Sequence, residues 1–403
     1  MKKFTKSLIF FILLSIAAIP AKSQEENEYL YKPFQITLFP PISTNGLDSK
    51  DCVNKLSLNV FWGVNAGLQG VEFGGIANIE KDFMKGAQFA GVANIVRGDV
   101  IGLQASHFAN IVEGNILGAQ VSGFANFNRG NFRGGQYAGF GNFNQGLLFG
   151  NSAAGFINTA LEVKGLQASG FINIADYAQG AQLSGFMNIS DEVLGAQAAG
   201  FLNIADEVEG AQVSGFMNVA GNVRGTQVGF INIADNYESG VPIGFINIVK
   251  NGYHAFEISG SEIWNLNVGY RLGVDRLYTQ FMFGSRWDRH DNFWGFGVGI
   301  GSRFGITHYL KGSVDFTSYQ LVEHHHLYAQ HPNLLEQLRF TMDGKILGNL
   351  RWFIGPTFNM LITPYEYPEP SFLEQFTPWS VYENASGVSY IKMWPGLSGG
   401  IRF

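Results

Sequence analysis

A single cysteine, Cys52, occurs in 403 residues, so neither a disulfide nor a cysteine-built zinc site can form within one chain. Charge is sparse at 14% of residues, and acids outnumber bases by 32 to 26. That balance excludes nucleic acid as a partner, since such binding needs a basic surface. Apart from one short run at the start, no stretch approaches the ~20 consecutive apolar residues of a transmembrane helix. A mature form that crosses a bilayer would therefore have to do so with closed strands. What the chain has in abundance is glycine, at 52, and phenylalanine, at 36. This composition suits neither a disordered chain nor a typical soluble enzyme.

The short run identifies the first segment. Basic residues Lys2, Lys3 and Lys6 precede an apolar stretch over residues 8–19, and the small residues Ala21 and Ser23 follow. This is the pattern of a signal peptide over residues 1–23, cleaved before Gln24. Its loss removes Lys2, Lys3, Lys6 and Lys22 and no acid, taking the net charge from −6 to −10. Cys52 lies far from the cleavage point, which argues against lipid attachment there.

A lead-in over residues 24–65 is followed by a repeat over residues 66–250. Asparagines recur at 78, 94, 110, 126, 142, 158, 173, 188, 203, 218, 232 and 247, mostly 15 or 16 residues apart. Six residues before most of them stands a glutamine: Gln88, Gln104, Gln120, Gln136, Gln167, Gln182, Gln197 and Gln212. Within a copy such as residues 210–219, apolar and polar residues alternate, and period two means strand. Polar pairs such as Asp191-Glu192, Asp206-Glu207, Gly221-Asn222 and Asp235-Asn236 read as turns between strands. Helix is excluded, because each glycine would cost ~1 kcal/mol there.

Two all-β architectures fit. In a parallel β-solenoid each copy is one rung, and Gln and Asn stack into amide ladders. In a large antiparallel barrel each copy is one membrane strand with amides facing a lumen, but such barrels alternate short turns with long loops. The turns here are uniform, which favours the solenoid. The ladder is expected to comprise Gln88, Gln104, Gln120, Gln167, Gln182, Gln197 and Gln212 with Asn94, Asn110, Asn126, Asn173, Asn188, Asn203 and Asn218. Evenly spaced amides could instead meet a periodic glycan, yet buried polar groups satisfying one another is the stronger reading. Ser152 stands where a glutamine is expected, which puts continuity of the Gln ladder in question. A regular row from Phe108 and Phe124 to Phe245 is expected to pack in the core.

The repeat stops at residues 251–254, and longer alternating segments fill residues 251–403. They lie near 263–272, 277–287, 293–305, 309–317, 337–343, 349–362 and 388–403, each about the length of a tilted membrane strand. Seven or eight strands would make a small outer-membrane-type barrel, or an antiparallel sheet packed on the solenoid, with an interior filled by side chains. Trp264, Tyr270, Trp287, Trp294, Trp352, Tyr390 and Trp394 are expected to form interfacial girdles. The long acidic and aromatic segment from Tyr365 through Trp379 and Tyr382 reads as a loop suited to binding.

No catalytic set assembles. His324, His326 and His331, with Glu323, are weak metal-ligand candidates whose spacing matches no tight ligand pattern. Residues 396–400 match the letters of a nucleophile elbow but lack the helix that must follow. Residues 295–301 alternate as a strand and lack the strand-turn-helix setting of a nucleotide loop. No enzyme activity and no cofactor is expected.

The pattern Gly-x-Gln-x-Ser-Gly-Phe-x-Asn-Ile, seen at residues 180–189 and 210–219, resembles a family of bacterial surface repeat-containing proteins of spirochaetes and Bacteroidetes. The terminal Phe403 resembles the C-terminal signature of outer-membrane barrels. These resemblances imply location at the outer membrane or cell surface and say little about ligand; the leading expectation is an exported, non-enzymatic scaffold or binding surface, with an extracellular glycan or protein as partner. The alternative is a transport pore in which repeats and C-terminal strands close one barrel with an amide-lined lumen.

Overall fold

A computed structural model describes residues 29–287, 292–323, 333–364, 379–386 and 389–403. The fold is all-β: a parallel solenoid of about 13 turns, then a separate antiparallel sheet of nine strands. The chain divides into one compact unit ending at Gly229 and a second over Phe230–Phe403.

In the first unit each copy of the repeat is one rung, hydrogen-bonded in parallel and in register to the next. Asn173 pairs with Asn188, Gly180 with Gly195 and Gln182 with Gln197, so in these columns like stacks on like. The parallel pairing is why the amides meet, and it removes the reading of the repeats as antiparallel membrane strands. The stack also begins earlier than the sequence repeat does. Leu30–Phe39 pairs in parallel with Cys52–Asn59, and this strand pairs in parallel with Trp62–Gly74. Residues within the lead-in thus supply rungs of their own.

The expected turns are not turns. Asp191-Glu192 lies inside the strand Met187–Ala199, Asp206-Glu207 inside Leu202–Ser214, Gly221-Asn222 inside Met217–Val228 and Asp235-Asn236 inside Ile231–Ile243. The chain turns at Gly-Phe pairs such as Gly200-Phe201 and Gly215-Phe216. In the 16-residue copies an additional bend falls between short strands, as between Ala93–Val96 and Val100–Ser106.

The phenylalanine row is not core either. From Phe108 to Phe216 the rings stack on successive corners with centroids 4.8–5.2 Å apart, yet Phe108 is 53% and Phe216 37% exposed. The turn at Gly-Phe swings outward a residue that strict alternation assigns to the inside. The core of this unit instead holds Leu68, Met84, Val96, Val112, Phe132 and Val163 beside the amide columns.

In the second unit nine strands follow the last rungs: β1 (Tyr253–Ser261), β2 (Leu266–Val274), β3 (Leu277–Arg286), β4 (Phe293–Gly305), β5 (Leu310–Glu323), β6 (Leu334–Leu347), β7 (Leu350–Pro364), β8 (Tyr382–Ser386) and β9 (Ser389–Arg402). Neighbours are antiparallel, and β9 pairs with β7 along its length. Its first half pairs also with the short β8, and its second half with β1. The hydrogen bonding therefore returns to the strand on which it began. Two strands go beyond the alternating segments visible in the sequence. β1 directly follows the repeat, and β8 occupies Tyr382, where the long loop was expected to continue.

Candidate functional site

The amide columns are the most regular chemistry in the chain. Each asparagine amide donates one N–H to the next asparagine carbonyl and the other to a backbone carbonyl. Asn94 Nδ2 donates to Asn110 Oδ1 and to the carbonyl of Ala105, both at 2.9 Å. The pattern repeats through Asn110, Asn126, Asn142, Asn158, Asn173, Asn188 and Asn203, and reaches Asn218. Glutamines run the other way: Gln104 Nε2 donates back to Gln88 Oε1, and Gln120 to Gln104. The two ladders thus point their dipoles in opposite senses within one interior. The expected members all take part, and Gln136, Asn142 and Asn158 join them.

Ser152 does interrupt the glutamine column. Its Oγ donates to Asn158 Oδ1, Gln136 Oε1 accepts from Asn144 instead, and Gln167 Nε2 has no partner. The column resumes when Gln182 donates to Gln167 and continues to Gln227. All these amides are fully buried, so they satisfy one another and offer nothing to a glycan. The stacked Phe rings likewise spend their faces on each other and present edges to solvent.

Donors of the first glutamine segment point toward the N-terminus and finish on an acid. Glu72 accepts from Gln88 at 2.8 Å, and from Asn59 and Asn65 at 2.8 Å each. Glu80 sits beside it with no exposure. Burial pushes its carboxyl well above the ordinary carboxylate range, the negative charge of Glu72 adds to the rise, and a hydrogen bond from Asn65 opposes it. A neutral acid in the fold that becomes ionised when unfolded favours folding most at low pH. Stability falls once pH passes the ordinary value near 4.5, by roughly 1.4 kcal/mol per pH unit until the folded-state value is passed. In Glu80→Gln this dependence should vanish, leaving a flatter profile of melting temperature against pH. An unchanged profile would show that Glu80 is not the group responsible.

The second concentration of chemistry lies on the buried face of the nine-stranded sheet, and sequence reading missed it. Glu257 on β1 accepts from Arg271 (2.7 Å), Arg339 (2.6 Å) and Arg402 (2.8 Å). Asp315 accepts from Arg271 at 2.9 Å and from the Tyr278 hydroxyl. Asp343 accepts from Arg303 at 2.7 Å and from Arg351. These residues alternate with apolar ones along their strands, which is visible in sequence. Their meeting across strands up to 145 positions apart is not.

The charges cluster toward the two-residue turns Asp275-Arg276 and Gly348-Asn349. Toward the other end the same face packs Trp264, Met282, Phe293, Tyr319, Leu335, Leu361 and Trp394. Trp264 and Trp394 are thus interior residues and not girdle members. Tyr390 packs against that cluster, whereas Tyr270, Trp287 and Trp352 are exposed. The opposite face of the sheet is apolar and exposed, with Phe256, Phe283, Phe296, Ile300, Phe316, Phe340 and Phe358 among its residues.

The histidines His324, His326 and His331 lie outside the described residues, as do residues 1–28 and most of the long segment after Pro364. Among the described residues no group of three His, Cys, Asp or Glu could hold a metal. Cys52 is buried and free. No known family, curated protein or solved structure matches the chain.

Proposed function

We propose that this is an exported, non-enzymatic outer-membrane protein in which residues 253–402 form a small transmembrane β-barrel that anchors a rigid solenoid scaffold. The observation that carries this reading is the inverted polarity of the second unit. A row of phenylalanines and isoleucines faces outward while arginines and carboxylates sit inside, the reverse of a sheet folded in water and the arrangement of a membrane barrel. The β1–β9 pairing supports closure, which leaves no unsatisfied edge in lipid. Strand lengths of nine to fifteen residues for the eight paired strands of the ring meet the ~9–11 needed to cross. The signal-peptide pattern at residues 1–23 and the resemblance to bacterial surface repeat proteins agree with export. On this reading the solenoid serves as scaffold or binding surface, its partner a glycan or protein.

Anchor and pore make opposite predictions. The interior is filled by the ion network at one end and by Trp264, Tyr319 and Trp394 at the other, as in eight-stranded barrels too narrow for a channel. The protein should remain in the outer-membrane pellet after carbonate washing and shift in gel mobility on boiling. In planar bilayers it should give no discrete single-channel steps. Stable conductance would replace the anchor by a pore. Release by carbonate would remove the membrane from the account altogether.

A further inference from the structure

Strand parity in the second unit separates two ends of the sheet. At one end β2 and β3 are joined by Asp275-Arg276 alone and β6 and β7 by Gly348-Asn349 alone, and β4 and β5 by residues 306–309. At the other end the connections between β1 and β2, β3 and β4, β5 and β6, and β7 and β8 take residues 262–265, 287–292, 324–333 and 365–381, and residues 387–388 join β8 to β9. Tyr253, where β1 starts, and Arg402, where β9 finishes, both lie at the short-turn end.

The last rung adjoins that same end. Only Lys250, Asn251 and Gly252 separate the strand Ile246–Val249 from β1. Asn247 Nδ2 donates to Thr279 Oγ1 at 3.0 Å, and Phe245 meets Phe281 edge-on. Thr279 is the third residue of β3, just beyond the two-residue turn.

In outer-membrane barrels short turns face the periplasm and long connections the exterior. We infer that the solenoid lies in the periplasm, and that the cell surface receives only the long connections of the barrel. The inference rests on the membrane-barrel reading and reverses the side on which the resemblance to surface proteins would put the repeats. Among the described residues no helix is long and apolar enough to cross a membrane, and parallel rungs cannot close a barrel. The stack therefore has no means of returning through the bilayer and stays on the side where β1 begins.

Accessibility of single cysteines to a membrane-impermeant maleimide tests this in the native host. Cys52 is fully buried, so the parent protein is the blank. Val381→Cys at the long-connection end, Leu347→Cys at a short turn and Ser239→Cys on the last rungs all replace exposed residues. Each variant is first checked for retention in the carbonate-washed pellet. The expected result is labelling of Val381→Cys in intact cells, with loss of labelling for Leu347→Cys and Ser239→Cys until the outer membrane is opened. Labelling of Ser239→Cys in intact cells, or failure of Val381→Cys to label there, overturns the orientation while leaving the barrel in place. Release of all variants by carbonate overturns the barrel reading and the orientation with it.

Discussion

Gly195→Ala is expected to lower the melting temperature of the solenoid by roughly 10 °C or more, a loss of at least about 3 kcal/mol, and to open the middle of the stack to trypsin. Gly195 has φ 135°, a conformation that residues with a Cβ rarely adopt, and it sits in a column of glycines of the same conformation from Gly70 to Gly225. A Cβ placed there would stand 2.1 Å from the carbonyl oxygen of Gly180. That oxygen is backbone, held in register by the rung beneath, so it can yield only if two rungs separate. Each rung touches only its neighbours, and stability is close to a sum of nearest-neighbour interfaces. A forced gap therefore breaks the amide ladders where Asn173 meets Asn188 and Gln182 meets Gln197. Ala196→Ser, one position on, makes a suitable control, because Ala196 is only half-buried. If Gly195→Ala melts with the parent, the column is not under the constraint its geometry indicates.

That glycine column marks a limit of what could be read in advance. The 15-residue period, the strand assignment and the pairing of Asn with Asn and Gln with Gln follow from repetition itself, because a stack brings position 188 onto position 203 whatever the detail. The interruption at Ser152 was legible for the same reason. The corners were not. Asp and Asn normally signal turns through side-chain bonds to their own backbone. In the solenoid Asp206-Glu207 lies within the strand Leu202–Ser214, where Glu207 pairs with Glu192 and Asn222 on the neighbouring rungs, and the Gly-Phe pair bends instead. Alternation then assigned Phe216 to the inside, since parity carries no information about where a strand is folded over.

In the second unit the same logic located most strands but could not say which side was buried. Trp264 and Trp394 looked like interfacial residues because tryptophan favours that setting. Trp264 lies inside because Gly284 and Gly295 leave room against its indole, where a Cβ would stand 2.4–2.8 Å from the ring. Small residues opposite large ones on neighbouring strands become visible only with the strand pairing.

Glu257→Ala is expected to destabilise the nine-stranded sheet by about 3–5 kcal/mol, the usual result of removing one partner from a buried ionic cluster, and on the proposed barrel reading to abolish its heat-modifiable form. Three guanidinium groups, Arg271, Arg339 and Arg402, converge on this carboxylate. Asp315 is the remaining acid within reach of all three, at 2.9, 3.4 and 3.8 Å. Without Glu257 that leaves an excess of positive charge with no water to solvate it. The cost comes from the orphaned cations, not from the lost contact. Glu257→Ala combined with Arg339→Met should accordingly be more stable than Glu257→Ala alone, since the second change removes a charge that the first left unpaired. The measurement is the fraction of protein that stays in the fast-migrating form on unboiled gels across a temperature series. Strictly additive losses in the double variant would show that packing at these sites, and not charge compensation, holds the interior. Recovery would establish the ion cluster as the element that fixes the strand pairing, joining β1, β2, β5, β6 and β9 through one acid pair.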